Sequence, residues 1–166
     1  MKPKLLVSAC LLGTPCRYDG KSKKSEAVCA LAERFELIPV CPEVLGGLPT
    51  PRTPSERRGA CVVRKDGRDV TAEYRRGAEC ALETARREGV LAAVLKERSP
   101  SCGSGEIYDG TFTGALTAGD GVTAELLKAN GITVYGEGEQ SLAEFLRYFV
   151  RKNKHQVIMP VLAIKW

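Results

Sequence analysis

The most informative segment of the chain is Val7-Ser8-Ala9-Cys10-Leu11-Leu12-Gly13-Thr14-Pro15-Cys16-Arg17-Tyr18-Asp19-Gly20. The apolar run Leu5-Leu6-Val7 ends here in small residues and a cysteine, and a loop with Gly and Pro follows. This pattern is typical of a buried strand that carries a reactive group to the edge of a sheet. Residues 37–43 and 91–103 repeat it, because each contains an apolar run followed by a cysteine.

Strands and helices alternate along the sequence. Apolar runs predict strands at about 4–9, 36–40, 91–96 and 132–135. Amphipathic patterns predict helices after Ser22 or Ser25, from about 70 to 88, from about 122 to 129 and from about 141 to 151. The alternation predicts an α/β fold: a single-domain three-layer sandwich with a mainly parallel central sheet of about four strands and helices on both faces. Asp66-Gly67 predicts a small hairpin between residues 61 and 70.

The composition is that of a globular protein. The chain has 166 residues, of which 43% are hydrophobic and 27% charged, and its formal net charge is +5. No apolar run approaches the roughly 18 residues that span a membrane, and Met1-Lys2-Pro3-Lys4 shows no export signal. We therefore expect a cytoplasmic protein without a membrane partner. The basic residues are spread along the chain, which allows a nucleic-acid partner without favouring one.

Seven cysteines are unusual in such a chain. Their odd number and uneven spacing argue against a disulfide framework. Because His155 is the sole histidine, mixed Cys/His metal sites are limited. Cys29 and Cys80 fall within predicted helices and Cys61 begins a predicted hairpin strand, so we interpret these three as small buried hydrophobic residues.

The remaining cysteines suggest a metal centre. Cys10 and Cys41 directly follow predicted strands, and Cys102 lies in the loop after a third, so all three are expected at one edge of the sheet. Three thiolates suit a soft metal centre. A zinc site would need a fourth ligand, which Cys16 offers, whereas a [4Fe–4S] cluster held by three cysteines would keep one iron open. A purely structural role for all seven thiols is the other alternative.

A series of motifs runs in order over about residues 4–136. These motifs are Ser8-Ala9-Cys10-Leu11-Leu12-Gly13, Cys16-Arg17-Tyr18-Asp19-Gly20, Cys41-Pro42-Glu43, Gly47-Leu48-Pro49-Thr50-Pro51-Arg52, Asp69-Val70-Thr71, Ser99-Pro100-Ser101-Cys102-Gly103 and Tyr108-Asp109-Gly110-Thr111-Phe112-Thr113-Gly114. They resemble the motifs of the DUF523 family, which includes the thiouracil desulfurases. The resemblance implies a desulfurase domain over residues 1–152. Residues 153–166 form a C-terminal tail to which it assigns no role.

The resemblance also implies a cofactor and a reaction. Cys10, Cys41 and Cys102 would hold a [4Fe–4S] cluster. Its open iron would serve hydrolytic C–S cleavage of a thiolated pyrimidine base or nucleoside, releasing hydrosulfide. The alternative is a structural zinc-binding protein or an RNA-binding protein without catalysis. The sequence does not indicate an oligomeric state.

Site residues follow from the same resemblance. Glu43, two residues after a ligand, is the expected general base. Ser101 is expected to hydrogen-bond the substrate or relay a proton, with Ser99 as the next candidate. Three further residues are expected to line the substrate pocket: Tyr18, Asp19 and Arg52.

Overall fold

The computed structural model describes the backbone of residues 1–162 and the side chains of residues 1–152. In this part of the chain the strands are β1 (Lys4–Ser8), β2 (Glu36–Val40), β3 (Ser55–Arg58), β4 (Cys61–Arg64), β5 (Ala92–Leu95), β6 (Glu106–Tyr108), β7 (Leu116–Ala118) and β8 (Val134–Gly136). The α-helices are α1 (Glu26–Cys29), α2 (Pro42–Leu45), α3 (Thr71–Glu88), α4 (Val122–Ala129) and α5 (Glu139–Leu162).

The central sheet is parallel and has the strand order β2-β1-β5-β8. Its register aligns Ser8 at the end of β1 with Val40 at the end of β2. Val7 of β1 is aligned with Val94 of β5, so the carboxyl ends of the three strands lie side by side. This alignment brings the loops that follow the three strands to one edge of the sheet.

Alternating side chains of β1 explain the three layers. Leu5 and Val7 pack with Val28 of α1 and Phe145 of α5 on one face. Leu6 points to the opposite core, where it packs with the apolar residues of α3 and α4. Because successive side chains of a strand point to opposite faces, one strand stabilises both cores. The predicted fold class is confirmed.

Local signals set the ends of two predicted helices. Ser25 caps α1, since its Oγ accepts a hydrogen bond from the Val28 backbone N–H at 3.2 Å. Helix α3 ends at Gly89, whose φ of 63° lies in the left-handed region that favours glycine. Both ends agree with the sequence.

The predicted pairing of residues 61–64 with 69–70 is present: Val63 and Asp69 form an antiparallel bridge, and the Val70 N–H donates to the Val62 carbonyl oxygen at 2.9 Å. Two further hairpins were not predicted. In the first, β4 pairs along its other edge with β3. The second hairpin, β6–β7, lies within the long loop expected after β5. Each of its strands has three residues, which is too short for a recognisable alternation.

Helices α2 and α3 are in backbone contact. A Cβ added at Gly77 of α3 would lie 1.9 Å from the Pro42 carbonyl oxygen, and one added at Gly46 would lie 2.0 Å from that of Glu73. Only glycine allows this approach. The contact fixes the short helix α2, which directly follows β2, against the longest helix of this face.

The last helix is longer than expected. Helix α5 runs to Leu162, past residue 152, which was the expected end of the domain. Residues 163–166 of the predicted tail lie outside the described part of the chain. Among the described residues, no helix is long and apolar enough to cross a membrane.

Candidate functional site

A cavity of about 620 Å³ lies at the carboxyl edge of the sheet. Four cysteines line it. Cys10 lies in the 3₁₀ turn Ala9–Leu12 after β1, and Cys41 links β2 to α2. Cys102 lies in the loop after β5, and Cys16 lies in the loop between β1 and α1. The structure therefore brings together the three cysteines that the sequence placed at strand ends, and adds Cys16 to them.

The four thiols are free and largely shielded from solvent. Cys10, Cys16 and Cys102 are buried, and Cys41 is partly buried. The Cys41 Sγ lies 3.7 Å from the Cys16 carbonyl oxygen. The pKa of the Cys41 thiol is raised, mainly by a hydrogen bond with Cys16 and secondly by burial. Burial raises the pKa of the Cys102 thiol to about 12, although hydrogen bonds with Ser8 and Ser101 oppose the shift.

The donor set fits an iron–sulfur cluster. Cysteine thiolates are the usual protein ligands of such clusters, and each binds a different iron, so the ligands must surround a cavity. Cys10, Cys41 and Cys102 do so from three separate loops. Binding a metal would displace the thiol protons. Within residues 1–152, no three His, Cys, Asp or Glu side chains are placed to share a single metal ion, whereas the ligands of a cluster bind separate irons.

Glu43 also lines the cavity, and two residues hold one of its oxygens. The Tyr74 hydroxyl of α3 donates to Glu43 Oε1 at 2.6 Å, and Arg52 Nε donates to the same atom at 3.2 Å. We find no hydrogen bond to Oε2 among the residues whose side chains are described. One carboxylate oxygen is therefore fixed while the other remains available to a molecule in the cavity.

Arg52 is held by protein groups on every side. Its side chain is 6% exposed. Nη2 donates to the Cys16 carbonyl oxygen at 2.9 Å, and Nη1 donates to the Pro49 carbonyl oxygen and the Thr50 hydroxyl. The residue was expected to contact substrate and does line the cavity, yet its donors connect the Cys16 loop to Glu43.

The other predicted residues are divided between the cavity and its surroundings. Tyr18 lines the cavity and is 43% exposed. Asp19 lies outside the lining, where it accepts a hydrogen bond from the Lys21 N–H and pairs with Arg17. Ser101 also lies outside: it is fully buried, and its hydroxyl is 2.8 Å from the Thr123 hydroxyl. The neighbouring Ser99 lines the cavity instead.

Sequence reasoning missed several lining residues. Lys96 directly follows β5, at a strand end like those of the cysteines, and that position was a usable signal. Its Nζ lies 2.6 Å from Glu137 Oε1. Tyr74 gave no signal, because its contact with Glu43 depends on the packing of α3 on α2. Tyr108 and Phe112 reach the cavity from the unpredicted β6–β7 hairpin.

Comparison with known proteins gives the family. The model of the 2-thiouracil desulfurase family matches residues 5–139. This chain belongs to the 2-thiouracil desulfurase family. The resemblance found in the sequence is thus confirmed.

Two relatives of this chain extend the comparison. YbbK of Bacillus subtilis (strain 168), described as uncharacterised, is 45% identical over 145 residues, covering 81% of this chain and 96% of YbbK. The solved structure of the [4Fe–4S]-dependent thiouracil desulfidase TudS is 51% identical and superposes with a TM-score of 0.83, covering 90% of this chain and 99% of TudS. The chain is therefore homologous to an enzyme over nearly its whole length.

Proposed function

We propose that this protein is a desulfidase that removes sulfur from a thiolated pyrimidine of the thiouracil type. In this proposal Cys10, Cys41 and Cys102 hold a [4Fe–4S] cluster. The observation that carries the proposal is the convergence of these three cysteines with Glu43 on one cavity. Membership of the 2-thiouracil desulfurase family and the likeness to TudS support the same substrate type and cofactor.

The reaction is a hydrolysis without net redox change. The thiocarbonyl and water give a carbonyl and hydrogen sulfide, so the C–S bond breaks and a C–O bond forms. A cluster with three protein ligands supplies, when bound, an open iron that acts as a Lewis acid with affinity for sulfur. The protein's own contribution is to orient the ring and to remove a proton from the attacking water.

Glu43 is the proposed general base. Its Oε2 is free of protein partners in the described structure, while Tyr74 and Arg52 hold Oε1. A base must lie within hydrogen-bond reach of the proton it removes and must keep its orientation during the reaction. The two donors meet the second requirement. Arg52 is thus proposed to position the base, whereas Tyr18 is free to contact substrate at the cavity mouth.

Ser101 is proposed to act on Cys102. Its hydroxyl shares a hydrogen bond with the hydroxyl of Thr123. It also forms a hydrogen bond with the Cys102 thiol, and this second bond partly offsets the rise in the thiol's pKa that burial causes. From this buried position Ser101 orients the sulfur. We therefore assign the expected hydrogen bond to the substrate to Ser99, which lines the cavity.

Anaerobic reconstitution tests the proposal. The protein should be brown, hold about four irons per chain, and release sulfide from 2-thiouracil with uracil as the second product. C10A, C41A and C102A should each lose the iron, whereas the matched controls C29A and C80A should keep it. E43Q should keep the iron and lose turnover. A colourless protein with one zinc per chain, or an iron-loaded protein that releases no sulfide from any thiolated pyrimidine, would refute the proposal.

A further inference from the structure

The β6–β7 hairpin carries an aromatic residue with an unusual backbone. Phe112 lies in the loop between the two strands and lines the cavity that also contains the cysteines. Its φ is 57°, a left-handed conformation that bulky residues rarely adopt. Such strain persists only where surrounding contacts impose it, and it is concentrated at ligand-binding sites.

A buried carboxylate imposes this conformation. Glu56 of β3 is 8% exposed. Its Oε1 accepts hydrogen bonds from the backbone N–H of Gly110 at 3.0 Å and from that of Phe112 at 3.2 Å. Glu56 therefore ties the loop to β3 on both sides of Thr111.

Arg58 completes the attachment. Its Nε donates to the Gly110 carbonyl oxygen at 2.7 Å, and a Cβ at Gly110 would lie 2.5 Å from Arg58 Cγ. The guanidinium carbon lies 5.9 Å from the centre of the Phe112 ring, within cation–π distance. The ring is thus supported by a cation and also lines the cavity. The backbone anchor and the Arg58 contact thus place a flat apolar surface at the cavity.

We infer that Phe112 determines specificity by stacking on the pyrimidine ring of the substrate, and that Glu56 positions Phe112. The inference rests on the proposed function, because it concerns how the substrate of that reaction is recognised. Aromatic rings attract each other in offset or edge-on arrangements, and nucleobases stack on aromatic side chains. Tyr18 is less suited to this role, since its side chain is more exposed than that of Phe112.

A pair of substrates isolates ring stacking from other contacts. 2-Thiouracil and its 5,6-dihydro derivative share the thiocarbonyl and the N–H groups, but the dihydro ring is not aromatic. F112L should raise the KM for 2-thiouracil about 5- to 150-fold, with kcat within about threefold, because stacking acts equally on ground and transition states. The KM for the dihydro compound should change less than about threefold. F112Y should behave as the wild type.

Substitutions at Glu56 test the positioning role. E56Q keeps an oxygen that can accept both backbone hydrogen bonds, so its KM values should stay within about threefold of wild type. E56L removes the acceptor and should reproduce the selective effect of F112L. Y148L, at an exposed tyrosine of α5, is the matched control. Equal losses for both compounds in F112L, or no loss for either, would overturn the inference.

Equilibrium binding separates this inference from the reaction itself. The iron-loaded wild type should bind uracil more tightly than dihydrouracil, and F112L should abolish that preference while keeping the iron content and the melting temperature. If the wild type bound with this preference but released no sulfide, the proposed reaction would fail and the stacking role would stand. If F112L kept the preference, the stacking role would fail whatever the activity.

Discussion

Tyr74 is a positioning residue for the proposed base, Glu43. It lies 31 residues from Glu43 in the sequence, and its hydroxyl donates to Glu43 Oε1 at 2.6 Å. Hydrogen bonds to charged groups contribute about 1.5–3 kcal/mol, so Y74F should lower kcat about 10- to 150-fold. KM and iron content should hardly change, because Glu43 itself remains. The measurement is steady-state sulfide release with iron analysis. Y148F is the control, and a Y74F enzyme with normal kcat would show that Arg52 alone holds the base.

If three cysteines hold the cluster, Cys16 is not a ligand. It shares the cavity with Cys10 and Cys41, and its carbonyl oxygen accepts from Arg52. The three proposed ligands follow strands of the central sheet, whereas Cys16 lies farther along the loop after β1. C16A should therefore keep about four irons per chain after anaerobic reconstitution. Loss of iron equal to that in C10A would make Cys16 a fourth ligand and close the iron that the reaction needs open.

The contact between helices α2 and α3 sets the position of the proposed base, because Glu43 lies on α2 and its partner Tyr74 on α3. Alanine is favoured over glycine within a helix by about 1 kcal/mol. At Gly77 the opposite should hold, because the new Cβ would lie 1.9 Å from the Pro42 carbonyl oxygen. G77A should destabilise the fold by about 1–3 kcal/mol, lowering the melting temperature by about 2–12 °C.

The same change should also reduce kcat, because displacing α2 separates Glu43 from Tyr74. E79A, at an exposed position of α3, is the control and should stay within about 0.5 kcal/mol of wild type. Thermal melts and sulfide release measure the two effects. A G77A protein as stable as E79A would contradict the close contact.

The start of α3 should make stability depend on pH. Hydrogen bonds from the Thr71 side chain and backbone hold the pKa of Asp69 below its ordinary value. A carboxyl whose pKa is lower in the folded state adds stability above its unfolded pKa of about 3.9 and loses it as pH falls through the folded pKa.

D69N is the matched variant, since its side-chain oxygen still accepts the bond but carries no charge. The wild type should melt at a higher temperature than D69N at pH 7, and this difference should shrink as the pH falls below about 4 and through the lowered pKa of Asp69. Comparing the two proteins cancels the titration of all other groups. A difference that stays constant from pH 7 to pH 3 would rule out the role of the Asp69 charge.

At the scale of the whole molecule, the sequence predicts the strands and helices that have a clear apolar periodicity. Strand β1 and helix α3 have strong patterns, and their bounds were nearly right. Strand β3 was missed because Ser55-Glu56-Arg57-Arg58 is polar, and partners of Glu56 and Arg57 lie far along the chain, in the loop between β6 and β7 and in α4. Periodicity carries no information about such long-range pairing.

The residues of the candidate site were likewise predictable only in part. Strand ends located the cysteines and Glu43, since parallel strands deliver their loops to one edge. The orientation of Ser101 could not be predicted, because it depends on a buried bond to Thr123 of α4. Tyr74 and Phe112 likewise reach the cavity through tertiary contacts alone.

The proposed cluster should tie together the central strands, and that gives a test on the whole fold. Its ligands follow β2, β1 and β5, which are adjacent in the sheet. A group that binds only the folded chain stabilises it by about 2.7 kcal/mol when present at 100 times its dissociation constant. The iron-loaded protein should therefore melt about 5–10 °C above the chelator-treated protein.

Cysteine variants decide whether that difference comes from the proposed ligands. C10A, C41A and C102A should melt at the same temperature with or without iron and sulfide, because each removes one tie. C29A and C80A should keep the full difference, since their thiols lie on α1 and α3, outside the cavity lining. A stabilisation that persisted in C102A would mean that the loop after β5 does not hold the cluster. The open iron would then lie elsewhere than beside Glu43, and the proposed base could not act on it.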